Sequence, residues 1–228
     1  MEWCVPLQKL EVGKVHLGPL YSQQQITIGR PARDKKPVAP LGYVDGQIVL
    51  PSLNILLPLL TVQSYNAQTG RLEVSIDNAF SVGKLQALQQ TLLNAITVYQ
   101  QGWFNSSEFT HEDILHAFQP MIENNILHLY CPVIARPQNV TDDQHKYTGN
   151  LTRIWANNEW QDGLLPGVLK SGQRIRIALQ IQGISLQLQN DEWTGRSRLQ
   201  HRILGILIQN PPVVQSNLVE NTVTTLTV

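Results

Sequence analysis

The stretch RIRIALQIQGISLQL, residues 174–188, decides the fold class. Up to Gln182, an isoleucine or leucine at each odd position alternates with a polar or small residue, which is the period of a half-buried β-strand. After Gly183 the apolar residues move to the even positions. A glycine at which the alternation slips by one residue predicts a β-bulge, and bulges bend strands around the corners of small barrels. The stretch therefore predicts a long, bent strand in a β-barrel core.

A second strand follows at once. A polar turn over residues 189–192 leads into a strand over residues 196–208. In its first half, four polar side chains fall on one face: Arg196, Arg198, Gln200 and Arg202. Two strands joined by so short a turn predict an antiparallel hairpin.

The residues before this hairpin predict two helices flanked by strands. Residues 72–76 and 126–134 have strand patterns. Between them, residues 82–103 predict a helix with one apolar stripe, formed by Leu85, Leu88, Leu92, Ile96, Tyr99 and Trp103. A second helix begins after Thr110, which forms a capping box with Asp113, and Pro120 limits it. Strands, then two helices, then strands predict a β-rich α+β fold.

Composition restricts the function classes. The chain has 228 residues, 42% hydrophobic and 15% charged, and its 17 Lys and Arg balance its 17 Asp and Glu. A net charge of zero gives no global basic field, so any nucleic-acid site must come from local clustering. Cys4 and Cys131 do not stand in ligand spacing, so neither a metal nor a cofactor is expected. The start of the chain lacks a signal-peptide pattern and no apolar run reaches 18 residues, so we expect an intracellular protein without a membrane partner.

Enzyme motifs do not occur in contiguous form. His111-Glu112 resembles the start of a zinc-protease helix, but the next histidine, His116, comes five residues after the first instead of four, which turns the two rings off a common face. Phosphate-binding glycine loops, the nucleophile elbow and the deaminase signature are not found either. We therefore expect no catalysis, although a site assembled from dispersed residues stays an open alternative.

Basic and aromatic residues cluster near the hairpin. Six basic residues between positions 170 and 202 face only two acids, Asp191 and Glu192. They are Lys170, Arg174, Arg176, Arg196, Arg198 and Arg202. Three tryptophans lie close in sequence: Trp155, Trp160 and Trp193. A basic groove with aromatic platforms is typical of single-strand nucleic-acid binding. The alternative for each residue is an ordinary role, core for a tryptophan and solvated surface for an arginine.

Several segments resemble one protein family. They are KSGQRIRIALQIQGI (170–184), WTGRSRLQH (193–201), SIDN (75–78), GWF (102–104) and residues 122–132. In this order, over residues 60–210, the chain resembles the single-stranded-DNA-binding replication proteins of large DNA viruses and certain phages, which carry an OB-fold. Two features differ from that family. Arg198 stands where the closing strand often has Trp, and residues 203–228 hold one acid, Glu220, where phage members end in an acidic tail.

Together, the residues and the resemblance predict an OB-like β-barrel with two helices inserted or packed across it. The domain covers residues 1–212, with an irregular or stranded part over 1–60 and a helical insertion over 82–125, and residues 213–228 form a tail. The expected role is non-catalytic binding of single-stranded DNA at sites of DNA replication or recombination. The basic residues would hold phosphates and the tryptophans would stack on bases. Self-association and contacts with replication proteins are further expectations. A structural or assembly protein of a virion is the alternative, favoured by low charge and many Gln and Asn residues.

Overall fold

A computed structural model gives the fold and describes residues 4–25, 33–104, 108–131, 152–156, 159–162, 167–189 and 192–209. Within these ranges the chain forms many strands, two α-helices and two short 3-10 helices (Leu7–Lys9 and Val12–Lys14). The strands join one large mixed sheet. The prediction of a β-rich α+β fold is therefore confirmed.

The elements follow one another in a simple order. The first strands are β1 (Val5–Pro6), β2 (Val15–Leu17), β3 (Tyr21–Gln25), β4 (Arg33–Asp45), β5 (Ile48–Leu50), β6 (Leu53–Leu56), β7 (Leu60–Asn66) and β8 (Arg71–Ser75). Two helices follow, α1 (Ala79–Phe104) and α2 (His111–Ala117). The last strands are β9 (Phe118–Gln119), β10 (Ile122–Glu123), β11 (Ile126–Tyr130), β12 (Arg153–Ala156), β13 (Glu159–Asp162), β14 (Arg174–Gln189) and β15 (Glu192–Ile208).

The organising element is the β14–β15 hairpin. The main strand order is β10-β11-β8-β7-β14-β15-β12-β13. One edge of β14 pairs along its length with β15, and its other edge pairs in turn with β7, β6 and β4. The outer edge of β15 pairs in parallel with β9 near the hairpin turn and with β12 at the far end. The hairpin therefore pairs with five other strands, β4, β6, β7, β9 and β12.

The predicted bulge at Gly183 is confirmed. The β14–β15 register shifts between Ile181 and Gly183. A side chain at Gly183 would collide with the carbonyl oxygen of Ala39 on β4, so the close approach of these strands requires glycine. Two further shifts, at Ala178/Leu179 and at Leu186/Leu188, were not predicted. Three irregularities in one hairpin add bend and twist to the long strands.

The long helix is confirmed, and its buried face differs in one respect from the predicted stripe. Leu85, Leu88, Leu92 and Ile96 are buried as expected. Tyr99 is 48% exposed, so its assignment to the stripe is wrong. Gln100 is buried instead, and its amide nitrogen donates to the carbonyl of Phe109 at 2.8 Å. That hydrogen bond lets a polar side chain occupy the core-facing position.

The second helix begins as predicted. The Thr110 hydroxyl accepts from the backbone N–H of Asp113, and the Asp113 carboxylate accepts from the N–H of Thr110. These bonds to Thr110 lower the pKa of Asp113 because they favour the charged carboxylate. The helix ends at Ala117, and Phe118 continues as β9.

The N-terminal part, predicted as irregular or stranded over residues 1–60, contains one long strand. Strand β4 runs for 13 residues through Pro37 and Pro40. A proline removes a donor but keeps its carbonyl, and the Pro40 oxygen accepts from the N–H of Gly18 at 2.8 Å. The stranded alternative therefore holds over β4. Residues 136–150, whose polar, turn-rich sequence predicts a loop, lie outside the described residues, as do the end of the strand predicted at 126–134 and the tail at 213–228.

Candidate functional site

The polar face of the β14–β15 hairpin carries the predicted arginines. The register places Arg176 opposite Leu207, Gln180 opposite Arg202 and Ser185 opposite Arg198. Because alternate residues of a strand point to the same side, these rows belong to one face, shared by Arg174, Arg176, Arg196, Arg198 and Arg202. All but Arg202, which is half-buried, are exposed. The predicted hairpin is confirmed, and we call this surface the arginine face.

The arginine face is long. Nine residues of β14 separate Arg176 from Ser185, the partner of Arg198. At about 3.3 Å per residue, this separation is roughly 30 Å along the strand. The face therefore has two ends with different neighbours.

At the first end, aromatic and basic residues come into one row. Leu207, which is 39% exposed, lies between Arg176 on β14 and Trp155 on β12. Trp155 is half-buried, and its partner across the next pair of strands is Trp160. The structure describes the backbone of Trp160, and its side chain lies outside the described residues. Sequence reasoning included both tryptophans but missed Leu207, because uninterrupted alternation from Arg202 would place it on the opposite face. The register shift at Ala178/Leu179 brings it to this one.

The basic residues differ in what they already contact. Arg174 Nη1 lies 3.3 Å from the Asp77 carboxylate, and Arg202 has an intramolecular interaction of its own. Within the described part of the chain, the side chains of the other four have no hydrogen bond or ion pair: Lys170, Arg176, Arg196 and Arg198. These four charges remain available to an external anion.

At the second end, Arg198 lies between two polar neighbours. Ser185 of β14 is its partner on one side and Gln119 of β9 on the other. A cavity of about 260 Å³ opens here, lined by these three residues, Arg196 and Gln187 among others. Sequence reasoning missed Ser185 and Gln119. The shift of alternation at Gly183 places Ser185 on the polar face, whereas nothing local marks Gln119.

The structure corrects the expectation for Trp193. The sequence analysis assigns its indole to base stacking, but Trp193 is only 8% exposed. Its ring stacks on Phe104 at a centroid distance of 5.2 Å and contacts the edge of Phe109 at 4.9 Å. Its Nε1 donates to the carbonyl of Arg196 at 3.1 Å. The protein itself therefore covers the Trp193 ring, and Trp193 is not available to stack on a base.

His201 joins β15 to β11, two strands that are not neighbours in the main strand order. The backbone N–H of Tyr130, on β11, donates to Nε2 of His201, on β15, at 2.9 Å. Burial, together with a smaller effect of the Arg198 charge, lowers the pKa of His201 to about 4. The ring is therefore neutral at physiological pH, which the accepting Nε2 requires.

Metal clusters and membrane-spanning helices are both absent from the described residues. Among the described residues there is no group of three His, Cys, Asp or Glu side chains able to hold a metal ion. No helix in that part of the chain has the length and apolar character needed to cross a bilayer.

Comparisons with protein-family models, with curated proteins and with solved structures found no match to this chain.

Proposed function

We propose that the protein binds single-stranded DNA along the arginine face, without catalysis, during DNA replication or recombination. The observation that carries the proposal is the alignment of five arginines on one face of a single hairpin, in a chain with no net charge. Phosphate contacts release counterions and supply most of the affinity of sequence-tolerant binding. Arginine is well suited because its planar guanidinium binds phosphate in a bidentate manner.

The row Arg176–Leu207–Trp155 supports a stacking role at the first end of the face. An exposed leucine and a half-buried tryptophan beside an unpaired guanidinium offer an apolar surface next to a phosphate contact. Base stacking on aromatic side chains is insensitive to sequence because every base has a π-face. We assign Trp155, with Trp160 as its strand partner, to base contacts and leave Trp193 out.

An OB-like barrel is the finer part of the same proposal. Five strands follow one another in the order β11-β8-β7-β14-β15. The hydrogen bond from Tyr130 to His201 connects the first of these strands to the last. Such a link supports closure of the five strands, with the arginine face on the outside of the barrel.

A titration with a fluorescent single-stranded oligonucleotide tests the function. Four unpaired basic residues, each neutralising one phosphate, predict that log K falls with log salt at a slope of about −3, since single strands give about −0.7 per phosphate. Trp155→Ala should weaken binding about fivefold or more, because stacking contributes about 1–3 kcal/mol per base. Arg71→Gln, on β8 and paired with Glu73, is the control and should bind as the wild type does. Affinity that is independent of salt, or equal for duplex DNA, contradicts the proposal.

A structural or assembly role is the second candidate, favoured by apolar side chains on the outside of α1. Phe80, Val98 and Tyr99 are 58%, 73% and 48% exposed. Exposed apolar residues grouped on one element are a common feature of interaction surfaces. Light scattering over a range of concentrations separates the two candidates. Stable oligomers that Val98→Asp dissociates, together with no DNA affinity, would favour assembly.

A further inference from the structure

The second end of the arginine face differs from an open basic surface because a cavity lies there. We call it the Arg198 pocket, lined by Ser185, Gln187, Arg196, Arg198 and Gln119. Its volume of about 260 Å³ exceeds that of a single small anion and leaves room for the atoms attached to it. The other basic residues of the face, Lys170 and Arg176, do not line it.

Three of the hydrogen-bonding side chains that line the pocket lie in one row. Ser185, Arg198 and Gln119 are neighbours across three adjacent strands. Directly opposite residues on paired strands have their Cβ atoms about 4.5–5.5 Å apart. A hydroxyl, a guanidinium and a carboxamide can therefore reach one group from three sides. Arg196 lies two residues along the same face, roughly 7 Å away along the strand.

Ser185 gives independent support for a ligand. It is only 7% exposed, yet among the described residues its hydroxyl has no hydrogen-bond partner. The hydroxyl is not among the fully enclosed polar atoms that lack a partner, so it is open to the pocket, where water or a bound acceptor can take its hydrogen bond. Its position opposite Arg198, on the face that lines the pocket, makes a bound acceptor the natural partner.

The charge of the pocket selects an anion. Neither guanidinium of Arg196 and Arg198 has an ion pair within the described ranges. The nearby carboxylates belong to an adjoining, larger cavity that Glu108, Asp113 and His116 line. Asp113 there already accepts hydrogen bonds from Thr110. Arg196 lines both cavities, whereas Arg198 lines only the Arg198 pocket, so Arg198 is the guanidinium that faces an anion away from these carboxylates.

We propose that the Arg198 pocket binds one phosphate group, held by Arg198 and Arg196 and by the hydroxyl of Ser185. Tetrahedral phosphate oxygens suit this set because they accept from guanidinium, hydroxyl and amide donors together. The choice of source rests on the proposed function: the phosphate belongs to a DNA strand, either at its end or within it. The pocket then fixes one point of a strand that otherwise lies along an open face.

The first experiment uses inorganic phosphate, followed by NMR of the arginine side chains. Phosphate should shift the Arg198 Nε–H signal saturably. Arg198→Gln should weaken phosphate binding about tenfold and Ser185→Ala about threefold. Arg176→Gln, an equally exposed arginine of the same hairpin, should leave phosphate affinity within twofold of wild type, although it lowers DNA binding. Equal losses in Arg176→Gln and Arg198→Gln would mean diffuse charge attraction and would overturn the pocket.

The second experiment identifies the source with thymidine oligonucleotides that carry a 5′-phosphate, a 3′-phosphate or neither. A terminal phosphate that raises affinity in the wild type, but not in Ser185→Ala, shows end binding. Equal affinity of all three, lowered in Ser185→Ala, shows an internal phosphate. If neither Ser185→Ala nor Arg198→Gln changes oligonucleotide binding, the proposal that the pocket holds a DNA phosphate is wrong, whereas the proposed DNA-binding function stands. If the pocket binds phosphate but the protein binds no oligonucleotide, the phosphate site stands and the proposed DNA-binding function is wrong. Arg198 is exposed, so its variant tests the idea even if Ser185→Ala folds poorly.

Discussion

At the residue scale, the indole of Trp193 joins the end of α1 to the turn of the β14–β15 hairpin. It packs between Phe104, the last residue of α1, and Phe109, just before α2. Gly195 has a φ of 77° and passes so close to the Phe109 ring that a Cβ would lie 3.0 Å from it. Three aromatic rings and a glycine thus fix the position of the helices against the arginine face.

Trp193→Ala should therefore unfold more easily without losing DNA affinity. Replacing a buried tryptophan by alanine costs about 3–5 kcal/mol, because it removes apolar contacts and leaves a cavity. Urea unfolding measures the stability, and oligonucleotide titration corrected for the folded fraction measures affinity. A variant that is as stable as the wild type but binds DNA more weakly would show that Trp193 contributes to the binding site.

At the scale of elements, α1 holds one side of the core through its leucine and isoleucine face. Leu92 and Ile96 are 2% and 0% exposed, whereas Val98, on the opposite side, is 73% exposed. Leu92→Ala or Ile96→Ala should lower the free energy of unfolding by about 2–5 kcal/mol. The control Val98→Ala should change it by about 0.5 kcal/mol or less. Thermal unfolding of the three variants checks this, and similar effects in all three would mean that α1 does not pack as described.

The elements that the sequence predicted well are those with local signals. The alternation of apolar residues, with Gly183, predicted β14 and its bulge. A three- and four-residue period predicted α1, and the Thr110–Asp113 pair predicted the start of α2. What it did not predict depends on contacts distant in sequence. The parallel addition of β9 to β15 brings Gln119 to Arg198, and the packing of α1 against the hairpin turn buries Trp193. Local residue propensities cannot predict such pairings, because the sequence around one partner contains no information about the other.

At the scale of the whole molecule, the net charge is zero, but most of the basic side chains of the hairpin are not balanced by nearby acids. Acids and bases are equal in number, but pairs such as Arg71 with Glu73 and Lys14 with Glu11 use bases away from the hairpin. On the hairpin, most of the bases have no such partner. The arginine face should therefore orient a bound nucleic acid, because the charges on it are unbalanced within the described part of the chain.

The link between β11 and β15 makes the stability of the whole molecule depend on pH. His201 has a pKa of about 4 in the fold because burial penalises the imidazolium, against 6.5 when unfolded. As pH falls below 6.5, the unfolded chain takes up a proton at His201 that the folded chain does not, so unfolding becomes more favourable until about pH 4. Protonation of Nε2 would also remove the acceptor for the Tyr130 N–H.

Between pH 7.5 and pH 5, the free energy of unfolding should therefore fall by about 2 kcal/mol from this group, since one pKa unit corresponds to about 1.36 kcal/mol. Glu73 and Asp113, whose pKa values are lowered in the fold from ordinary values of 4.5 and 3.8, lose their stabilising effect at lower pH, which keeps the two contributions apart. Urea unfolding at several pH values measures the slope, and His201→Gln should flatten it above pH 5. His116→Gln, on the exposed surface of α2, is the control and should keep the slope. An unchanged slope in His201→Gln would show that this histidine is already protonated, or solvated, in the folded protein, and that it does not hold β11 against β15.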